Sequence, residues 1–144
     1  MKQNIGRLLL FFTAFAGCVL LGCILAGCGK KEEAYVKLRE PEFTVVEEAD
    51  VPRELLDVIQ EKKEEEFKIT YRAEDGLYLA KGYGSQPSGG YSITVEELFC
   101  AKEGLCIKTK LTGPAADEKV TAAKTYPYVV IKLEPMEVKV HFLD

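Results

Sequence analysis

The sequence predicts an α+β domain in which one N-terminal helix is followed by a five- to six-stranded, mainly antiparallel sheet or a small β-sandwich. Two observations support this fold class. Apolar residues change from helical spacing to strict alternation at Phe67, and turns rich in glycine and proline separate the alternating segments that follow. The length of 144 residues fits one domain. The pattern leaves open whether the helix packs on one sheet or two sheets form a sandwich.

The helix is predicted over residues 52–66. Asp50 offers an acceptor near its start, and Pro52 is suited to a first turn. Four apolar residues then fall on one face at helical spacing. They are Val51, Leu55, Val58 and Ile59.

The strands are predicted from alternation and from the turns between them. Glu74-Asp75-Gly76 and Lys102-Glu103-Gly104 have the composition of hairpin turns, and Glu134-Pro135 ends a strongly apolar segment. Together with a short strand at Phe43–Val46, the predicted strands are Phe67–Ala73, Leu77–Tyr83, Tyr91–Cys100, Leu105–Leu111, Thr125–Leu133 and Val138–Phe142. Residues 43–144 would therefore form the β-rich domain.

The first 28 residues differ from the rest of the chain. Lys2 and Arg7 precede a segment, Leu8 to Cys28, that contains no charged residue, and everything after Gly29 is rich in polar residues. A short positive region followed by an apolar run is the layout of an export signal.

The apolar run ends in Leu25-Ala26-Gly27-Cys28, which resembles the lipobox of bacterial lipoproteins. The resemblance implies that the Cys28 thiol receives a diacylglycerol group and that a signal peptidase cuts just before it. We therefore expect residues 1–27 to be a lipoprotein signal peptide, and the mature protein to be anchored by Cys28 on the extracytoplasmic face of the bacterial cell membrane. The alternative is an uncleaved membrane helix, because 21 uncharged residues can span a bilayer. The tetrapeptide favours the lipoprotein.

The charge distribution argues against nucleic acid as a partner. Without residues 1–27 the net charge changes from −4 to −6, because Lys2 and Arg7 are removed and no acid is. Residues 30–66 hold 7 basic and 13 acidic residues, and from Phe67 onward there are 10 of each. Phosphate contacts need a basic face, which this chain lacks. The charged residues 28–42 are expected to act as a tether.

The residues that could carry catalysis or hold a metal are few. His141 is the only histidine, and it alternates outward on the last strand, as a solvated histidine would. A metal site would need it together with Cys100 and Cys106, whose spacing is not usual for zinc. Glu96 and Glu97 would point to opposite faces of a strand, so they cannot share a substrate. We expect no enzymatic activity, no metal and no cofactor.

Two features allow alternative interpretations. The glycine-rich segment from Gly82 to Gly90 leads into a strand, so it lacks the helix that a phosphate loop uses. It is either a connection that needs glycine at positive φ or a contact surface flanked by Tyr83 and Tyr91. Similarly, Cys100 and Cys106 flank a hairpin and would form a cross-strand disulfide if they face each other, or else remain free thiols.

Several short motifs in order carry a family resemblance. They are Gly82-Tyr83-Gly84, Gly89-Gly90-Tyr91-Ser92-Ile93-Thr94-Val95, Leu111-Thr112-Gly113-Pro114 and Thr125-Tyr126-Pro127-Tyr128-Val129-Val130-Ile131-Lys132. With them, the segment from Phe67 to Phe142 resembles the C-terminal domain of PrcB-like proteins, bacterial lipoproteins named for a subunit of a surface protease complex.

The resemblance implies a non-catalytic accessory role, in which the domain binds or stabilises an exported protease. The residues that it marks as family positions, together with Tyr83, are our candidates for partner binding: Tyr83, Gly84, Gln86, Gly89, Gly90, Tyr91, Tyr126 and Pro127. The bond between Tyr126 and Pro127 is also a candidate for the cis form. The rival hypotheses are a small-ligand or cell-wall binder with a pocket between helix and sheet, and, last, a hydrolase.

Overall fold

The computed structural model describes residues 34–144, and the proposed signal peptide 1–27 and Cys28 lie outside them. The described part is mostly β, with two mainly antiparallel sheets of four and three strands and one helix. The elements are β1 (Thr44–Val45), a 3-10 turn (Glu48–Asp50), α1 (Arg53–Lys62), β2 (Glu66–Ala73), β3 (Gly76–Tyr83), β4 (Ser92–Ala101), β5 (Gly104–Thr112), β6 (Tyr128–Leu133) and β7 (Val140–Leu143).

The strands are distributed between the sheets out of chain order. One sheet has the order β1-β6-β3-β2, with every neighbouring pair antiparallel, and the other has the order β4-β5-β7. Glu134-Pro135 follows the end of β6, as the sequence predicts, but the chain does not return beside that strand. Residues 134–139 instead cross to the other sheet, where β7 pairs in parallel with β5.

Apolar residues from both sheets fill the space between them. They come from β3, β4, β5 and β6 and are Leu77, Leu79, Leu98, Leu105, Ile107, Val129, Ile131 and Leu133. Strand β3 is buried continuously from Gly76 to Gly82, because its second face is covered as well. The fold is therefore a sandwich of two sheets.

Helix α1 covers the outer face of the four-stranded sheet. Leu55 and Ile59 are 1% and 0% exposed and pack against side chains such as Phe67 and Tyr78. The helix ends at Lys62, earlier than predicted, because Glu66 already pairs with Tyr83 at the start of β2. With 10 residues it is too short to cross a bilayer, and residues 34–144 contain no other helix that could.

The residues just before β1 lie against the sandwich. Leu38 N–H donates to Cys100 O, and Cys100 N–H donates to Arg39 O, each at 2.8 Å. Lys37 Nζ lies 2.7 Å from a Glu97 carboxylate oxygen. We call residues 35–43 the N-terminal strap. It runs along the edge of β4 before the chain joins the other sheet at β1.

The register of the β4–β5 hairpin separates the two cysteines. Ala101 pairs with Gly104, so the loop has two residues and Cys100 lies opposite Leu105 while Cys106 lies opposite Phe99. Cys100 therefore points between the sheets and Cys106 points to the outer face, and both thiols are free. A cross-strand disulfide, one of the two alternatives that the sequence left open, would need a three-residue loop that includes Gly104, and the two-residue loop excludes that pairing. Gly104 permits the shorter turn with a φ of 143°.

Two adjacent helix residues test the role of α1 as the cover of the sheet. We expect Ile59→Ala to lower the free energy of unfolding by about 2–4 kcal/mol, because it empties a fully buried position. Val58→Ala should cost less than about 1 kcal/mol, since Val58 is 36% exposed. Urea unfolding of the purified protein measures both. Equal losses would contradict this placement of the helix.

Alkylation followed by peptide mass spectrometry tests the cysteine register. In the folded protein, iodoacetamide should modify Cys100 about tenfold faster than Cys106, because Cys106 is 0% exposed and burial raises the pKa of its thiol, helped by the charge of Glu103. In denaturant without reductant, both peptides should carry the label. A Cys100–Cys106 cross-link recovered under those conditions would refute the register.

Candidate interaction surface

Two loops meet where β3 leads into β4 and β5 leads into β6. We call residues 84–91 the glycine loop and residues 113–127 the long loop. Gln86 and Thr125 form an isolated bridge in which each N–H donates to the other residue's carbonyl, at 2.8 and 3.1 Å. Gly89 N–H donates to Thr121 O at 3.0 Å, and Thr125 Oγ1 donates to Ser88 O at 2.7 Å. These bonds hold the two loops together.

Glycine is required at both ends of the glycine loop. Gly84 has a φ of 71° and Gly90 a φ of 83°, in the left-handed region that side chains disfavour. A Cβ on Gly90 would lie 2.6 Å from Val120 Cγ1 and 2.9 Å from Pro114 Cβ. Close contact with the long loop therefore excludes a side chain at Gly90. By contrast, a Cβ on Gly89 would meet nothing closer than 3.8 Å.

The long loop is the larger part of this surface, and the sequence motifs mark only its two ends, at Gly113-Pro114 and from Thr125 to Pro127. It has 15 residues without regular structure, and loops of that length in compact domains are usually functional when they are ordered. Residues 115–119 and 121–124 are exposed, whereas the glycine loop exposes only Ser85, Pro87 and Gly90. Its length between two predicted strands was the one available signal.

The candidate tyrosines are half-buried, and each has different neighbours. Tyr83 OH is 2.6 Å from Thr109 Oγ1, and the Lys81 ammonium lies 5.0 Å from the Tyr83 ring centroid. Tyr91 packs beneath Gly113, on which a Cβ would lie 3.2 Å from the Tyr91 ring. The rings therefore brace the loop ends in separate places.

Tyr126 and Pro127 end the long loop at the start of β6. The Tyr126 ring has the Lys63 ammonium 5.2 Å from its centroid, so it contacts the end of the helix layer. Pro127 O accepts from Tyr83 N–H at 3.1 Å. Among the described residues no peptide bond is cis, so the cis interpretation of Tyr126-Pro127 is wrong.

Gln86 bonds both to the end of β3 and to the long loop. Its side-chain amide donates to Tyr83 O at 3.0 Å while its main chain bonds to Thr125. Both contacts close the start of the glycine loop over the end of the long loop. The structure thus brings together Gln86, Gly89 and Gly90 of the candidate set, with the long loop as their common neighbour.

The residues considered for catalysis have structural neighbours. His141 Nδ1 is 3.3 Å from Tyr35 OH and its Nε2 is 3.1 Å from Glu103 O, so the ring is half-buried rather than solvated as predicted. Glu96 and Glu97 form separate ion pairs, with Lys108 at 3.7 Å and Lys37 at 2.7 Å. Residues 34–144 contain no cluster of three side chains that could hold a metal ion.

One further group beside the long loop has an altered proton affinity. Burial raises the pKa of Tyr128 to about 12, and its hydrogen bond to Glu48 Oε2 at 2.9 Å adds to the effect. The phenol is therefore a stable donor to Glu48 at neutral pH. In the sequence, Glu48 stands out only as part of an acidic segment.

Comparison with known proteins identifies the domain. Residues 77–134 match the family described as PrcB C-terminal. The match begins in β3, includes both loops and ends just after β6, so it covers the whole candidate surface. No curated protein and no solved structure matches the chain. The resemblance found in the sequence is therefore confirmed for residues 77–134.

Proposed function

We propose that this protein is the non-catalytic accessory subunit of an exported protease, held on the extracytoplasmic face of the bacterial membrane by a lipidated Cys28. The family points to a protease complex, and the export signal with its lipobox supports the location. The domain binds or stabilises the protease, and the chemistry of cleavage belongs to the partner.

One observation carries the proposal. The glycine loop and the long loop, both inside the segment that matches the family, are bonded to each other through their main chains. Loops that are already ordered lose less conformational entropy on binding, so they make an effective protein contact surface. The exposed residues 115–119 and 121–124 supply the contact area, and Gly84, Gln86 and Gly90 set its shape.

The alternative function is that of a small-ligand or cell-wall binder. Its pocket would not lie between helix and sheet, where it was expected. The interface between helix and sheet is filled by Leu55 and Ile59. An open groove of about 870 Å³ lies instead beside the strap, where Phe43 and Met136 contribute apolar surface. A groove of this size could hold a small molecule, and retention of a glycan or metabolite in place of a protease would favour this function.

The anchor is tested by replacing two cysteines of the apolar run. Cys28→Ser should abolish lipid modification and leave an uncut precursor that stays in the membrane fraction through its apolar segment, because the thiol is the acyl acceptor. Mass spectrometry of the N-terminal peptide and membrane fractionation measure this. Cys23→Ser is the matched control and should be modified like the natural chain. An unmodified N-terminus in the natural chain would contradict the anchor.

The loop pair is tested by capture of the partner from intact cells by cross-linking. The natural chain should recover a protease. Gly90→Ala should reduce that recovery severalfold, because left-handed strain of about 1–3 kcal/mol and contact with Val120 and Pro114 displace the loops. Gly89→Ala has room for its methyl group and should capture as the natural chain does.

Thermal unfolding of both glycine variants shows whether the domain stays folded. Recovery of the protease by Gly90→Ala at the natural level, with the loops displaced, would contradict a role for this surface. Failure of the natural chain to recover any protease would contradict the proposed function itself.

A further inference from the structure

The outer edge of β6 is covered along only part of its length. Thr44 and Val45 of β1 lie opposite Lys132 and Ile131, and Val46 N–H donates to Val130 O at 2.8 Å. Continued by two residues, this register would place Glu48 opposite Tyr128. Glu48 instead begins the short 3-10 turn, so β1 stops before it reaches Tyr128.

The main chain of Tyr128 therefore faces the uncovered edge. On the inner side of β6, Tyr83 N–H donates to Pro127 O, so Pro127 and Val129 point their main-chain groups toward β3. Alternate residues of an antiparallel strand point the opposite way, which directs the N–H and C=O of Tyr128 away from β3. Among the described residues, no loop or cap hydrogen bond uses these two groups.

A niche of about 350 Å³ lies at this edge, and we call it the tyrosine niche. Its walls include Val45, Glu48, Tyr126, Pro127 and Tyr128. Two aromatic rings, one carboxylate and an open strand edge thus meet in one place. Val45 is 57% exposed and gives the niche an apolar border.

The chemistry of the niche favours binding of a positively charged group. Glu48 accepts one bond from Tyr128 OH at 2.9 Å through Oε2, and its other carboxylate oxygen is left for a second donor. Glu48 is the only charged residue among the described residues that line the niche, so the niche is negative. The Tyr126 ring already has one ammonium group, that of Lys63, 5.2 Å from its centroid. Aromatic faces attract such cations.

We propose that the tyrosine niche receives an extended segment of the partner protein that carries a lysine or arginine side chain. The segment adds to the edge of β6 beyond β1, and its main chain pairs with the N–H and C=O of Tyr128. Its basic group contacts Glu48 and the Tyr126 ring, and a neighbouring apolar side chain packs on Val45. This inference rests on the proposed function, since it names the part of the partner that the domain holds.

The continuity of the edge selects this occupant. The uncovered position beside Tyr128 lies on the same edge of β6 that β1 occupies, directly beyond the end of β1. One extended residue paired with Tyr128 would therefore continue the sheet. The Glu48 carboxylate disfavours an acidic segment, because like charges repel each other. A small apolar molecule would leave the Tyr128 main chain without hydrogen bonds, whereas a peptide satisfies it.

Peptide binding to the full-length protein in detergent micelles tests the niche. The probe is an acetylated, amidated pentapeptide with a central lysine flanked by valine and threonine, followed by NMR of the protein amides. It should shift the Tyr128 and Val130 amide signals and slow the hydrogen exchange of Tyr128. The same peptide with a central glutamate should bind about tenfold more weakly or not at all.

Two variants separate a specific contact from general attraction. Glu48→Gln keeps an acceptor for Tyr128 OH and removes the charge, and it should weaken binding of the lysine peptide by about fivefold. Glu47→Gln removes an equal charge one residue away and should leave binding nearly unchanged. Equal losses in both variants, or equal binding of the glutamate peptide, would overturn the inference.

The capture experiment keeps this inference separate from the proposed function. If Glu48→Gln and Tyr126→Leu reduce recovery of the partner while Glu47→Gln does not, the niche is part of the contact. If the Glu48→Gln and Tyr126→Leu variants both capture the partner at the natural level, the niche inference fails and the accessory function stands. Self-association of the full chain that Glu48→Gln abolishes would also overturn it, because the occupant would then be a second copy.

Discussion

Burial of β3 and β6 on both faces is the constraint on which the rest of the structure depends. Leu77 and Leu79 of β3 pack against the second sheet. Tyr78 and Ala80, which alternate with them along the strand, pack on the side of α1. Fully buried side chains each contribute about 1.5–3 kcal/mol through the area removed from water. Because these two strands are central, the loops that leave them start from fixed points. The loop pair owes its geometry to that fixed origin as much as to its own hydrogen bonds.

Local patterns in the sequence predicted the strands and the helix well, because alternation and helical spacing report which face of an element is buried. They could not predict pairing between distant segments. β7 joins β5 in parallel because it belongs to the other sheet, and nothing in Val138–Phe142 indicates its neighbour. The alternative of a Cys100–Cys106 disulfide failed because the strand register differs by one residue. Whether Gly104 belongs to the loop or to β5 moves every following side chain to the other face.

The same limit applies to the candidate surface. Gly84 and Gly90 could be singled out because glycine at the ends of a loop has a local cause, the positive φ, and the structure gives both that conformation. The long loop bonds to the glycine loop from farther along the chain, as Thr125 does to Gln86, and no local pattern contains that contact. The solvated interpretation of His141 failed for a similar reason. Tyr35 OH contacts the His141 ring. Tyr35 belongs to the strap, a segment that its composition alone indicated to be a tether.

Strand edges explain why contact can be selective in a domain with so many exposed backbone groups. Among the described residues, β2 carries Lys68 and Arg72 at its edge, and such charges discourage pairing with foreign strands. The edge of β4 is covered by the strap at Cys100 and interrupted by a bulge next to Val95. β7 has only four residues. The gap that β1 leaves beside Tyr128 has no such protection, yet Glu48 restricts what can enter it. An edge that is open but charged admits a partner of one sign and rejects indiscriminate pairing, which is the property that an accessory subunit without catalytic groups requires.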